Sequence, residues 1–514
     1  MNVARSSPSN SRRPRNTAYG ISTGRLRNLD RRGLVVTLTA VCTLWLLVLP
    51  NLGVPPLWLD EAYTIGNSRI SPLEIGRLNG GNMVGYYALV APLAHSVQSE
   101  FWIRLPSAVA MTLAVPAFYA LARLLLPRTH AAIAVGFFVL NPITLSIARE
   151  ARSYSFAVLL ACVSWWAFLR ADDTQDGTKY RVGWVLATAL GCYMHLLFIL
   201  LVPAQLLTSW ASGRRASRSS IGPFLLALGL ATAPLAWFAT HPEAREPSWI
   251  PTISWDQFRY ITSTYFGADF GVAGLLVLTC FALAALTVTF TDGRWGTRPA
   301  DRPLALMALT WFTVPLVLLT LISFARPLLI PRYLSMVLPA TALLVGLGTQ
   351  YVASRSRLAV SGVVFALALS FIPHSQLRTD DEDWRGLTAC LLELPDQDAV
   401  VFPHPRLRTP VDVYLEWSDV VMRARPLSPA DPFGTPETTY TEAEDLVLQL
   451  QQESGSVWVV HRASNAEASV GVIRGLEELG FAQLGEWTTG RGDLGVSRHE
   501  RPGSVPAPRA LDPC

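Results

Sequence analysis

Residues 33–50, GLVVTLTAVCTLWLLVLP, form an uninterrupted apolar run that leads through Asn51-Leu52-Gly53-Val54-Pro55-Pro56 into Trp58-Leu59-Asp60-Glu61-Ala62-Tyr63. A run of this length approaches what a helix needs to cross a hydrocarbon core about 30 Å thick. No small-residue cleavage site follows it and further apolar segments do, so it reads as an uncleaved first span and not as a secretory signal. Two adjacent carboxylates just beyond a span are costly to keep for structural reasons alone. Asp60 and Glu61 are therefore read as the catalytic centre, carried by a polytopic α-helical membrane protein.

Composition agrees with that class. Of 514 residues, 51% are hydrophobic and 16% charged, with a mean hydropathy of +0.32, too apolar for a soluble chain of this size. Cys42, Cys162, Cys192 and Cys280 lie inside apolar runs, and Cys390 and Cys514 lie outside them, with no metal or disulfide spacing. The net charge of +4 is small, and the arginines sit in short blocks beside apolar segments. That distribution suits membrane topology and argues against nucleic acid as a partner.

Working outward, residues 1–33 carry Arg5, Arg12, Arg13, Arg15, Arg25, Arg27, Arg31 and Arg32 against the single acid Asp30, the pattern of a disordered basic cytoplasmic arm. Later basic blocks at Arg123/Arg128, Arg170/Arg181, Arg214/Arg218, Arg294/Arg302 and Arg355/Arg357 are placed inside by the positive-inside rule. Counting apolar segments between them gives about 11 transmembrane helices over residues 34–373, with residues 51–103 as the first external loop. The count requires Val84 to Val97, short and broken by Pro92 and His95, to be an interfacial helix that does not cross. Val182 to Trp210 is too long for one span and divides near Tyr193 and His195. The loop from Thr240 to Phe270, with Trp249, Trp255, Tyr260 and Tyr265, reads either as an interfacial lid or acceptor platform or as an anchoring aromatic belt.

After Ile372 the composition becomes that of a soluble domain. Strand-like runs at Ala399 to Phe402 and Ser456 to Val460 alternate with helical ones such as Ala466 to Gly480. Residues 374–500 are thus expected to form a small extracytoplasmic α/β domain, followed by a disordered tail over 501–514. No glycine-rich phosphate loop follows its strands, so no nucleotide is assigned to it.

This topology collects Asp60, Glu61, Arg104, Arg149, Glu150, Arg152, His195, Arg326 and Arg332 at one outer face. Acids beside a cation cluster suit transfer of a group from a phosphate-activated donor to a hydroxyl: a carboxylate takes the hydroxyl proton while guanidinium groups hold the departing phosphate. Each residue also has a plainer reading. Asp60 or Glu61 can cap the following helix, Arg149 and Arg152 can anchor at the interface, His195 can donate to a freed carbonyl, and Arg332 can snorkel to head groups.

Trp58-x-Asp60-Glu61-Ala62, Phe101-x-x-Arg104-Leu105-Pro106-Ser107, Arg149-Glu150-Ala151-Arg152-Ser153-Tyr154, the His195 turn, Arg332-Tyr333 with Leu338-Pro339, and Glu382-Asp383-Trp384-Arg385 together resemble the bacterial GT-C glycosyltransferases. The family 39 type, related to protein O-mannosyltransferases and aminoarabinose transferases, is the most similar. The resemblance spans roughly residues 34 to 385. It implies a GT-C fold and an inverting transferase in the bacterial plasma membrane that uses a polyprenyl-phosphate sugar on the outer leaflet. The acceptor would be a glycan, glycolipid or protein. Asp60 matches the acid of the first-loop motif and would be the base, with Glu61 assisting. Arg104, Arg149, Arg152 and Arg332 would hold the lipid phosphate, and Glu150 and His195 are substrate or metal candidates. Because the Asp-x-Asp form is absent from both loops, a divalent cation such as Mg or Mn remains a possibility and not a requirement. Mannose is the sugar expected, with arabinose or another pentose as the alternative. A transporter or flippase would put its charges near the midplane of two similar halves, and a scaffold protein would tolerate loss of the Asp60 charge.

Overall fold

The computed structural model describes residues 31–173, 177–212, 215–241, 302–353, 382–403, 405–427, 456–462, 466–489 and 494–502, with short pieces between 250 and 261 and Leu450. Expectations for the N-terminal arm, most of the Thr240–Phe270 loop, the spans at 262–301 and 354–381, and the C-terminal tail fall outside the described residues.

The first apolar run is helix α1 (Arg31–Val48), stopped by Pro50 and a single 3-10 turn at Leu49–Asn51. Four helices fill the first loop and the span after it: α2 (Leu59–Ser68), α3 (Pro72–Leu78), α4 (Val84–Ser96) and α5 (Glu100–Leu125). At 13 residues α4 is too short to cross a bilayer, as its sequence implied. Helices α6 (Arg128–Leu140) and α7 (Pro142–Ala148) form one apolar segment bent by 57°. The bend follows from Asn141-Pro142: proline pushes the residue before it out of the helical region, and Asn141 sits at φ −63°, ψ 128°. Its side chain then accepts from the Ile143 amide at 3.0 Å, starting the new helix.

Helices α8 (Tyr154–Asp173) and α9 (Gly177–Met194) follow, and the long run after Val182 breaks at His195, in extended conformation, as expected from its length. A 3-10 segment (Leu196–Leu200) then continues into α10 (Leu201–Ala211). The break is held by the His195 amide on the Gly191 carbonyl at 2.8 Å and the Leu196 amide on Asn82 Oδ1 at 3.2 Å. The bundle is completed by α11 (Arg215–Ala239), α12 (Arg302–Ala325), a 3-10 segment at Pro331–Val337, and α13 (Leu338–Ala353). Six of the described helical segments are long and apolar enough to cross a membrane, or seven if the bent pair is one span. The core of the bundle holds fully buried Trp165, Trp184 and Trp311, with Trp165 stacked on Trp311 at 5.1 Å between ring centres.

Residues 382–502 contain α14 (Trp384–Leu392), α15 (Arg408–Ser418), α16 (Ala466–Glu478) and strands β1 (Ala399–Val401), β2 (Arg425–Pro426), β3 (Val457–Arg462), β4 (Ala482–Thr489) and β5 (Leu494–Glu500). The sheet order is β2-β1-β3-β5-β4, parallel from β2 to β3 and antiparallel beyond. β3 is buried along most of its length, in keeping with its unbroken apolar run, Val457 to Val460. One hydrophobic cluster runs from the membrane helices through Trp384 and Tyr414 to Trp458, so the sheet and the bundle share a core.

Candidate active site

Helix α2 opens with Trp58 extended at its N-cap and two carboxylates in its first turn, where the helix dipole favours negative charge. Those carboxylates have different surroundings. Glu61 is fully buried. Its Oε1 accepts from Arg104 Nε and the Ala151 amide, each at 2.8 Å, and its Oε2 accepts from Arg104 Nη2 at 2.6 Å and the Trp58 amide at 3.3 Å. Asp60, next in line on the helix, keeps a quarter of its side chain exposed and meets two guanidinium groups: Arg332 Nη1 at 3.3 Å and Arg152 Nη2 at 3.8 Å.

Two of the expected site residues, Arg104 and Glu61, bind each other. Arg104 was expected at the donor phosphate, but all five of its N–H groups are engaged, by the two Glu61 oxygens and by the carbonyls of Leu52, Pro55 and Pro56. With no donor left, the guanidinium fixes the loop that enters α2. Glu61 was expected to assist catalysis, yet its oxygens are taken up in tying together the first loop, α5 and the second loop at Ala151. Arg149 likewise turns toward α1, donating to the Leu47 carbonyl.

The remaining residues converge. Arg152 Nη1 also donates to the Asp60 carbonyl at 3.2 Å, and its guanidinium lies over the Tyr154 ring. Burial disfavours the charge on Arg152, but Asp60, Tyr87 and Tyr154 together more than offset this and its proton is held tightly. Arg332 stacks over the Trp58 ring, 4.4 Å from its centre. His195 is buried between Tyr154 and Tyr333, with ring centres 5.7 and 4.9 Å away, and its Nε2 has no hydrogen-bond partner among the described residues. Glu150 is buried, with Oε1 accepting from Ser146 at 2.7 Å. The stretches carrying Asp60, Arg152, His195 and Arg332, 272 residues apart at their extremes, thus meet at one place. Trp58, Tyr154 and Tyr333 were missed as site residues although each adjoins or nearly adjoins a charged one; an aromatic ring beside an arginine was the available signal.

A divalent cation does not fit this donor set. Asp60 already faces two cations, Glu61 is saturated, and among the described residues no three His, Cys, Asp or Glu side chains gather as ligands.

The model of the dolichyl-phosphate-mannose-protein mannosyltransferase family matches residues 84–239. No curated protein matches the chain. Among solved structures it is similar to ArnT from Cupriavidus metallidurans bound to undecaprenyl phosphate, with 13% identity and a TM-score of 0.54 over 93% of this chain and 100% of that one. The apo state of the same protein gives 13% identity and a TM-score of 0.55, over 90% and 97%. The apo oligosaccharyltransferase of Archaeoglobus fulgidus gives 12% and 0.50, over 92% of this chain and 75% of that one. At these identities the likeness is one of fold alone, that of a multi-pass helical membrane protein.

Proposed function

We propose that this GT-C, family-39-like membrane protein is a glycosyltransferase that moves a sugar from a polyprenyl-phosphate donor to an acceptor hydroxyl. The observation that carries the reading is the Asp60 carboxylate set between Arg152 and Arg332, with charges drawn from three separate stretches of the chain. The undecaprenyl phosphate bound to the similar ArnT supports the lipid-phosphate half of the reaction.

Asp60 takes the proton of the acceptor hydroxyl as its oxygen bonds to the anomeric carbon. The bond from that carbon to the phosphate oxygen breaks, the electron pair stays with the phosphate, and the configuration inverts. Arg152 and Arg332 bind the lipid phosphate through charge-assisted hydrogen bonds, which strengthen as negative charge builds on it. A phosphate leaves already anionic, so no separate acid is needed. His195 and Glu150 are assigned to the sugar or acceptor hydroxyls. Mannose is the sugar favoured by the family match over residues 84–239; a pentose donor of the arabinose type is the alternative. The site is read as lying on the outer face of a bacterial plasma membrane, an orientation that the basic blocks support through the positive-inside rule, and a glycan, glycolipid or protein would be the acceptor.

The test is transfer from a panel of polyprenyl-phosphate sugars by purified wild type and Asp60→Asn, with and without a chelator. Transfer from one donor that disappears in the variant and persists with chelator is the expected result. Equal turnover by the variant would overturn the role of Asp60.

A further inference from the structure

Helix α2 carries Asp60, and residues 382–502 grip it at both ends. At its start, the Leu59 amide donates to Glu382 Oε2 at 2.9 Å. At its end, Arg69 donates both Nη groups to the Glu416 carboxylate, at 2.5 and 2.9 Å. The chain entering the helix is held as well: the Leu57 amide donates to Tyr414 Oη at 2.6 Å, and that hydroxyl donates in turn to Glu100 Oε1 at 2.9 Å. Arg385 reaches the same Glu100 carboxylate at 2.5 Å.

Glu382 is itself fixed. Its Oε2 also accepts from Trp384 Nε1 at 2.8 Å, and its Oε1 accepts from Arg462 at the end of β3. The Trp384 ring is fully buried. A continuous chain of bonds therefore leads from the sheet, through Arg462 and Glu382, to the peptide amide immediately before Asp60. No rotatable loop intervenes between that amide and the Asp60 backbone, so a shift of Glu382 becomes a shift of the carboxylate between Arg152 and Arg332.

We propose that Glu382 is a positioning residue, through which the C-terminal α/β part sets where the Asp60 carboxylate lies. The inference rests on Asp60 being the base. It gives the C-terminal part a task separate from acceptor choice: it completes the geometry of the membrane site. Reacting groups displaced by about 1 Å can lose ~10²-fold in rate, so the effect belongs in kcat.

The test compares full-length Glu382→Ala and Glu382→Gln with wild type, using the donor that the wild type accepts and counting activity per folded molecule by gel filtration. Glu382→Ala is expected to lower kcat about 10- to 100-fold with donor KM within about twofold. Glu382→Gln keeps an oxygen for the Leu59 amide and should recover most of that loss. A second readout needs no turnover: in an Asp60→Cys background, adding Glu382→Ala should change the rate of thiol alkylation several-fold. If the Ala variant is not recovered folded, Arg462→Ala takes its place and should lower kcat in the same way. An unchanged kcat per folded molecule, an unchanged alkylation rate, or a Gln variant as slow as the Ala variant overturns the proposal. Full activity in Asp60→Asn would instead overturn the role of Asp60 as base, on which the proposal rests.

Discussion

Asp60 and Glu61 are neighbours in sequence with different surroundings, and burial separates them. Asp60 keeps partial exposure and two cationic neighbours, whereas Glu61 has none of its surface in solvent and four donors on its oxygens. Asp60→Asn is nearly isosteric and should insert and fold normally while transfer falls ~10²-fold or more, the scale of a lost general base; turnover and thermal melting measured together check both halves. Arg332→Ala removes one charge-assisted contact to the phosphate, worth ~1.5 to 3 kcal/mol, and should raise donor Kd by roughly one to two orders of magnitude. Arg104→Ala is predicted to act on stability instead. It strands the buried Glu61 carboxylate, and breaking a buried pair in this way costs ~3 to 5 kcal/mol, to be read as a lowered melting temperature or loss of expressed protein. That Asp60 would lie near Arg152 and Arg332 was expected from the sequence, where all three fall beside the ends of apolar runs. The contacts of Arg104 were not legible, because sequence shows a charge but not how many of its donors the fold takes up.

At the scale of elements, the site depends on breaks in helices. The bend at Asn141-Pro142 turns α7 away from α6 and delivers Arg149 to Ser153 to the site, and the break at His195 delivers an imidazole. The second break was legible from length alone, since Val182 to Trp210 overshoots one span and falls short of two. The first was not read, although Asn-Pro marks it, because the combined apolar length of α6 and α7 already matched a single span. The His195 break is braced by close approach of α4: a Cβ at Gly85 would stand 3.0 Å from Tyr193 Cβ and 3.1 Å from the Tyr193 carbonyl oxygen. Backbone cannot swing aside as a side chain does. Gly85→Ala should therefore push the end of α9 outward and destabilise the protein by ~1 to 3 kcal/mol. Transfer per folded molecule should fall as well, because Tyr193 lies two residues from His195; melting and single-turnover rates on the same sample test the pair of effects.

For the whole molecule, the strands of the C-terminal part were legible singly from their apolar runs, but their order was not, since pairing between β1 and β3 depends on residues nearly 60 positions apart. Nor could sequence show that this part closes over α2, because the contacts are single side chains such as Glu382 and Tyr414 meeting backbone amides. Those contacts constrain topology. Glu100 opens α5 and is bound by Tyr414 and Arg385, so the C-terminal part lies at that end of the helix. With 26 residues, α5 is roughly 39 Å long at 1.5 Å per residue, enough to cross the bilayer. Thr129, just past its far end, is then predicted to face the other side, which the positive-inside rule applied to Arg123 and Arg128 predicts to be the cytoplasm. Val421 is 87% exposed on the C-terminal part. In intact cells a membrane-impermeant maleimide should label Val421→Cys directly, and Thr129→Cys only after permeabilisation. Labelling of both from the same side would mean that α5 does not cross, and the reverse pattern would place Asp60 and its donor on the cytoplasmic leaflet.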